Sequence, residues 1–180
     1  MDDISLHIMD IIENSTRAEA SSILLNIVVN KKTNMLSIDI KDNGRGMDNE
    51  EVIQAQDPFY TTKTKKKFGL GISLLKQASE EAAGTFALIS DKGSGTHISA
   101  TFQYDHIDRK PLGDIAKTFY ILIASYPEVD LLLSYKIDNR SFDIDTAELR
   151  KELEDIPITA PNVLKTLKNH IAGGVMTVER

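Results

Sequence analysis

Three short glycine-containing segments could bring the backbone close to a bound ligand. Asp42-Asn43-Gly44-Arg45-Gly46-Met47 directly follows a predicted strand, where glycines allow a sharp turn and a close approach. Gly69-Leu70-Gly71 comes just before a predicted helix, whose free N–H groups and dipole favour an anion. Gly93-Ser94-Gly95-Thr96 is the third. Taken singly, each segment is equally typical of a tight turn, a loop-to-helix junction or a hairpin.

A narrow polar stripe on the first predicted helix is the second feature that could serve chemistry. His7, Asp10 and Asn14 fall within roughly 60° of one another at about 100° per residue, whereas their neighbours are mostly apolar. Such a stripe is either the wall of a polar site or the solvent edge of a half-buried helix. Spacing alone favours the solvent edge.

The elements that would position these segments follow from hydrophobic periodicity and from turn residues. The composition shifts near residues 104–113, which we interpret as a linker. The sequence therefore predicts one domain over residues 1–104 and a small α-β-β-α-α unit over 105–180, which covers the first domain or binds a partner. The predicted helices are 3–17, 48–56, 69–83, 114–125, 146–155 and 161–171, and the predicted strands are 22–29, 35–41, 85–90, 97–103, 129–138 and 141–145.

Composition excludes several classes of protein. The 180 residues are 41% hydrophobic and 27% charged, which is typical of a folded chain with a real core. A net charge of −6 argues against a general nucleic-acid or membrane-surface binder. The sequence has no cysteine, so thiol catalysis and disulfides are excluded and a cytoplasmic location is favoured. The four histidines are scattered without the spacing of a zinc site.

Five motifs in one order closely resemble the Bergerat-fold (GHKL) ATPase superfamily. They are Asp10–Asn14, Asp42–Met47, Phe59-Tyr60-Thr61-Thr62-Lys63, Gly69–Leu74 and Gly93–Thr96. The superfamily includes sensor histidine kinases, anti-sigma serine kinases, type II topoisomerases, mismatch-repair ATPases and a class of chaperones. The resemblance covers about residues 3–103, and the last three motifs look most like a histidine-kinase catalytic domain. It implies an α/β sandwich (α+β) with a mixed, mostly antiparallel sheet, followed by the small C-terminal unit.

The resemblance also implies how an adenine ring would be held. Asp42 matches the carboxylate that accepts a hydrogen bond from the adenine amino group. Gly44 and Gly46 match the positions where the backbone passes beside the base, and Met47 would pack on it. Thr96 matches a hydroxyl that helps to hold the adenine through water.

For the phosphates and the magnesium ion, the resemblance implies a second set of residues. Asn14 matches the Mg²⁺ ligand, and Arg17 stands where histidine kinases have a basic phosphate contact. The stretch at 57–68 corresponds to a lid over ATP, and its lysines either touch the γ-phosphate or are simply solvated. The remaining residues implied to bind nucleotide in and beside this lid are Thr62, Lys63, Gly69, Leu70 and Gly71.

Asp10 departs from the family pattern. ATP-hydrolysing members have a glutamate there as general base, and histidine kinases usually have asparagine, whereas this chain keeps a carboxylate on a shorter side chain.

Two functions follow as expectations. The protein is a stand-alone ATPase domain that acts as a regulatory Ser or His kinase in trans or as a slow ATPase, with Asp10 catalytic. Alternatively, it is a non-catalytic nucleotide-dependent switch. Both imply ATP or ADP, Mg²⁺ and a protein partner, with no nucleic acid and no membrane, and both leave a homodimer open.

Overall fold

The structure is a computed structural model that describes residues 3–59 and 70–180. Helices and strands alternate along the chain much as their hydrophobic periods predict. The helices are α1 (Ile4–Arg17), α2 (Asn49–Ala55), α3 (Gly71–Glu81), α4 (Ile115–Ser125), α5 (Thr146–Leu153) and α6 (Pro161–Glu179). The strands are β1 (Ser22–Asn30), β2 (Met35–Asp42), β3 (Phe86–Asp91), β4 (Gly95–Gln103), β5 (Asp130–Ile137) and β6 (Arg140–Asp145).

One six-stranded sheet runs through the molecule in the order β3-β4-β2-β1-β5-β6. The β1–β5 pair is parallel and the other neighbouring pairs are antiparallel, so the predicted mixed, mostly antiparallel sheet is confirmed. Alternate residues of each central strand are buried on one face, as Leu36, Ile38 and Ile40 are on β2. Helix α1 packs over this face between α3 and α4.

Helix α1 is held at its N-terminus by two parts of the chain. The Asp3 side chain accepts a hydrogen bond from the Leu6 N–H group, which caps the helix. The Ile4 N–H group donates to the Pro111 carbonyl at 2.9 Å, and the Ser5 N–H group donates to the Leu112 carbonyl at the same distance. The segment that we interpret as a linker therefore contacts the helix that has the predicted polar stripe.

The C-terminal unit continues the sheet of the first part. Strand β5 pairs with β1 from Ser22–Asp130 to Val29–Ile137. Buried side chains of both parts, such as Leu25 and Leu133, belong to one hydrophobic core. The division into 1–104 and 105–180 stays a prediction, and the described residues on both sides of it share a sheet and a core.

The last helix is longer than the sequence predicts. An end near Ile171 is wrong, because α6 continues through Gly173 and Gly174 to Glu179. Val175 and Val178 are buried in this extension, so packing outweighs the low helix propensity of two adjacent glycines. Although α6 has 19 residues, no helix within the described ranges is long and apolar enough to cross a membrane.

Candidate functional site

A cleft opens to solvent between α1, the loop after β2, the start of α3 and β4. The space between its walls is about 540 Å³, a figure that includes space open to solvent. The structure brings six of the sequence-predicted binding residues to its walls. They are Asn14, Arg17, Asp42, Gly46, Met47 and Thr96.

Asp42 is the buried acidic group of the cleft. It ends β2 with only 7% of its surface exposed. Its Oδ1 accepts hydrogen bonds from the N–H groups of Gly44 at 2.9 Å and Thr96 at 3.2 Å. Its Oδ2 accepts one from the Ser15 hydroxyl at 2.6 Å. A carboxylate offers about four acceptor positions. The described residues therefore fill three and leave one on Oδ2.

Glycines let the loop after β2 lie against the β3–β4 turn. Gly46 has φ +68°, and a Cβ atom there would lie 1.9 Å from the Asp91 carbonyl oxygen. Gly95 has φ +85°, and its Cβ would lie 2.0 Å from the Asp42 carbonyl oxygen. Neither position has room for a side chain, and the backbone conformation also disfavours one. At Gly44 a Cβ would approach the Ala18 carbonyl oxygen to 2.8 Å.

Hydroxyl groups and an ion pair fix the rim of the cleft. The Met47 N–H group donates to the Ser90 hydroxyl at 2.9 Å, and the Thr96 hydroxyl lies 2.9 Å from the same Ser90 oxygen. Lys92 Nζ lies 2.8 Å from Asp48 Oδ2. The hydrogen bond from Lys92 lowers the pKa of Asp48, and the same contact raises the pKa of Lys92. The pair joins the cap of α2 to the β3–β4 turn.

Asn14 and Arg17 lie at the open side of the cleft, one turn apart on α1. Arg17 Nη1 donates to Asn14 Oδ1 at 3.3 Å, and Nη2 lies 3.5 Å from Glu13 Oε2. Arg17 is exposed, so its guanidinium can leave these partners at small cost. The Asn14 amide oxygen and the Arg17 guanidinium therefore lie next to each other at the cleft.

Asp10 contacts the start of α3. The Gly71 N–H group donates to Asp10 Oδ2 at 2.5 Å. A Cβ atom at Gly71 would lie 2.6 Å from the same oxygen, so only glycine permits this approach. Leu70, the N-cap residue of α3, is 43% exposed. The carboxylate predicted as a general base thus caps a helix whose N-terminus attracts negative charge.

A search of family models tests the resemblance drawn from the motifs. The model described as histidine kinase-, DNA gyrase B-, and HSP90-like ATPase matches residues 2–106. The chain belongs to this family. The superfamily resemblance inferred from the motif order is confirmed, and so is the presence of a histidine-kinase-like ATPase domain.

Relatives of this ATPase domain include kinases. Sporulation kinase C of Bacillus subtilis (strain 168) is 32% identical over 88 residues, which are 49% of this chain and 20% of the relative. The sensor histidine kinase WalK of the same organism is 30% identical over 110 residues, which are 57% of this chain and 18% of the relative. The chain thus matches about a fifth of the length of each kinase.

A solved structure shares the fold of the ATPase domain. It is the MutL ATPase domain of Aquifex aeolicus complexed with ADP, with a TM-score of 0.50 and 17% sequence identity. The match covers 85% of this chain and 67% of that one, so the likeness extends beyond the part that the family model covers. At this identity the likeness shows the fold alone.

Some predicted site residues lie outside the described residues, and the sequence analysis missed others. Thr62, Lys63 and Gly69 fall in the part of the chain that the structure does not describe. Ser15 and Arg45 line the cleft although neither was predicted. Each stands beside a predicted residue, Ser15 after Asn14 and Arg45 between two glycines. The sequence shows that Ser15 and Arg45 are next to predicted site residues, but it does not show that their side chains face the cleft.

The donor atoms near the cleft suit some metal ions better than others. Within residues 3–59 and 70–180, no group of three or more histidine, aspartate or glutamate side chains is placed to hold a metal. Asn14 Oδ1 is one hard oxygen donor at the mouth of the cleft. Mg²⁺ keeps water and phosphate oxygens in its shell, so one protein oxygen is compatible with it.

Proposed function

We propose that the chain binds ATP and ADP in the cleft, with the adenine against Asp42. The observation that carries this proposal is the buried carboxylate with one acceptor position left. An ionised carboxylate accepts and cannot donate, which suits the adenine amino group. Met47, Ile72 and Ile98 supply apolar walls for a flat ring, and the Thr96 hydroxyl lies beside them.

We propose further that the phosphates extend towards α3 with Mg²⁺ held by Asn14 Oδ1. The dipole of α3 favours an anion at its N-terminus, and exposed Arg17 can reach towards it. Bound Mg²⁺ would neutralise part of the phosphate charge. Leu70 belongs to this end of the site, and the proposed roles of Thr62, Lys63 and Gly69 lie outside the described residues.

With the nucleotide bound, we propose a regulatory kinase that transfers phosphate to a Ser or His of another protein in the cytoplasm, or a slow ATPase. The similarity to two named kinases supports this proposal.

One observation favours a second candidate function, a nucleotide-dependent switch. Asp10, the proposed catalytic base, already accepts a short hydrogen bond from Gly71 and thereby fastens α3. Both candidates act through a protein partner.

Calorimetry with ATP, ADP and GTP tests the proposed binding. We expect ATP to bind at least about tenfold more tightly than GTP, because the guanine carbonyl would face the Asp42 carboxylate with no proton between them. Asp42→Asn should lose at least about tenfold in ATP affinity, since its amide would offer donors to the adenine amino group. Asp39→Asn is the matched control, because Asp39 lies on the same strand and pairs with His97 on the opposite face. Equal affinity of the wild type for ATP and GTP would refute the assignment.

A further inference from the structure

Ser15 makes the shortest contact to Asp42 in the cleft. It lies on α1 with 5% of its surface exposed, and its hydroxyl donates to Asp42 Oδ2 at 2.6 Å. The two residues come from different elements, α1 and β2, and both line the cleft. A hydrogen bond to a charged acceptor at this distance is among the stronger kinds in proteins.

The Asp42 carboxylate would have rotational freedom without Ser15. The N–H groups of Gly44 and Thr96 both bind Oδ1, so they hold only one oxygen of the carboxylate. Rotation about the bond to the carboxylate carbon is broad and soft in aspartate. The Ser15 hydroxyl holds the second oxygen and thereby fixes the plane of the group.

We propose that Ser15 is the positioning residue for adenine recognition, an inference that rests on the proposed nucleotide site. By donating to one lone pair of Oδ2, Ser15 leaves the other lone pair for the amino group of the base. It does not contact a phosphate or a reacting atom in this role. The discrimination between a 6-amino and a 6-oxo purine therefore depends on Ser15 as well as on Asp42.

A purely structural role for the Ser15 hydroxyl is the competing explanation. Serines inside helices often donate to the carbonyl four residues earlier, and the Ile11 carbonyl oxygen lies 3.3 Å from Ser15 Oγ. One hydroxyl has one proton, so it favours the nearer and charged acceptor. The distances of 2.6 Å and 3.3 Å thus favour Asp42.

Adenosine and inosine separate these explanations, because they differ at the 6-position and have no phosphates. In the full chain we expect Ser15→Ala to weaken adenosine binding by about tenfold in calorimetry, the loss typical of a hydrogen bond to a charged group. The preference for adenosine over inosine should narrow by at least about tenfold, because a carboxylate free to turn away repels the 6-oxo group less and inosine affinity does not fall. Ser15→Thr, which keeps the hydroxyl, should restore both quantities. Ser15→Cys, a nearly isosteric weak donor, should give intermediate values.

Ser79→Ala is the matched control. Ser79 is a fully buried serine on α3, and its hydroxyl has no hydrogen-bond partner among the described residues. Removing it should leave adenosine affinity and the adenosine preference unchanged. If Ser15→Ala lowers the melting temperature but changes neither affinity nor preference, the positioning role is refuted. A wild-type chain that binds neither adenosine nor ADP would instead refute the proposed nucleotide site itself.

Discussion

At the scale of single residues, Asp10 joins two helices through one hydrogen bond. The acceptor is its carboxylate on α1, and the donor is the Gly71 N–H group at the N-terminus of α3. Such a contact combines a charge-assisted hydrogen bond with a favourable charge at a helix N-terminus. The same carboxylate is the proposed general base, so its two roles must be separated by substitution.

Asp10→Asn and Asp10→Ala should differ in stability. The asparagine oxygen can still accept from Gly71, so we expect ATP affinity and the free energy of unfolding to stay near the wild-type values. Alanine removes the acceptor and should lower the free energy of unfolding by about 1–2 kcal/mol in urea denaturation. Glu13→Ala, which removes a partly exposed carboxylate that pairs with Arg17 on α1, should change the free energy of unfolding by less than about 1 kcal/mol.

Two outcomes would change the assignment of Asp10. An Asp10→Ala variant as stable as the wild type would show that the contact with α3 is not stabilising. ATP turnover at the wild-type rate in Asp10→Asn would exclude Asp10 as a general base and leave the switch as the better proposal. Loss of turnover with retained binding would support the enzyme.

The sequence predicted which residues lie at the cleft better than it predicted their hydrogen-bond partners. The motifs predicted Asp42, Asn14 and Thr96, and the structure brings all three to one cleft. The Ser15–Asp42 and Asp10–Gly71 contacts join residues 27 and 61 positions apart. Such contacts depend on how elements pack, which local periodicity does not report. The chemical roles of these residues stay predictions.

At the scale of elements, α6 contains two adjacent glycines in different surroundings. A Cβ atom at Gly173 would meet nothing within 4 Å, whereas at Gly174 it would lie 2.1 Å from Phe142 Cδ2. The Phe142 ring also contacts the ring of His170, one turn earlier on α6. Gly174 thus lets β6 and α6 approach closely, and Gly173 serves no such contact in the described structure.

Alanine substitutions should therefore have opposite effects at these two positions. Gly173→Ala should raise the free energy of unfolding by up to about 1 kcal/mol, because alanine is the better helix former. Gly174→Ala should lower it by about 1–3 kcal/mol, because the Phe142 ring must move. Urea denaturation of both variants measures the difference. A stabilising Gly174→Ala would show that Phe142 repacks without cost.

The same glycines explain the largest difference between a predicted helix end and the structure, which is at the end of α6. Two adjacent glycines have a low helix propensity and favour a helix end, so the predicted end of α6 was near Ile171. The helix continues because the side chains beyond the glycines are buried against the sheet and α4. Most other elements have strong periods of their own, as the alternation in β2 shows, and their order was predicted correctly.

At the scale of the whole molecule, the C-terminal unit shares the sheet of the ATPase domain. The sequence predicted β5 as a strand but did not predict its parallel pairing with β1, which lies about a hundred residues earlier. Both strands are rich in apolar residues, and composition does not specify which strands pair. The contact of Pro111 and Leu112 with α1 could not be predicted from the sequence either, because it is made by backbone atoms.

Removing the C-terminal unit should therefore destabilise the ATPase domain. A chain ending at Gln103 leaves β1 without its β5 partner and exposes an apolar strand edge, which favours aggregation. It also takes away the two carbonyl groups that accept from Ile4 and Ser5 at the start of α1.

We expect this truncated chain to lose more than about 3 kcal/mol of its free energy of unfolding, a large share of the stability of a typical domain. Size-exclusion chromatography and thermal unfolding of the truncated and full chains measure the loss, and calorimetry compares their ATP affinities. Adding residues 104–180 as a separate chain provides the control, because restored stability would attribute the loss to the missing pairing. If the truncated chain stays monomeric, melts at the same temperature and binds ATP equally well, the C-terminal unit does not support the site, and partner binding becomes its better explanation.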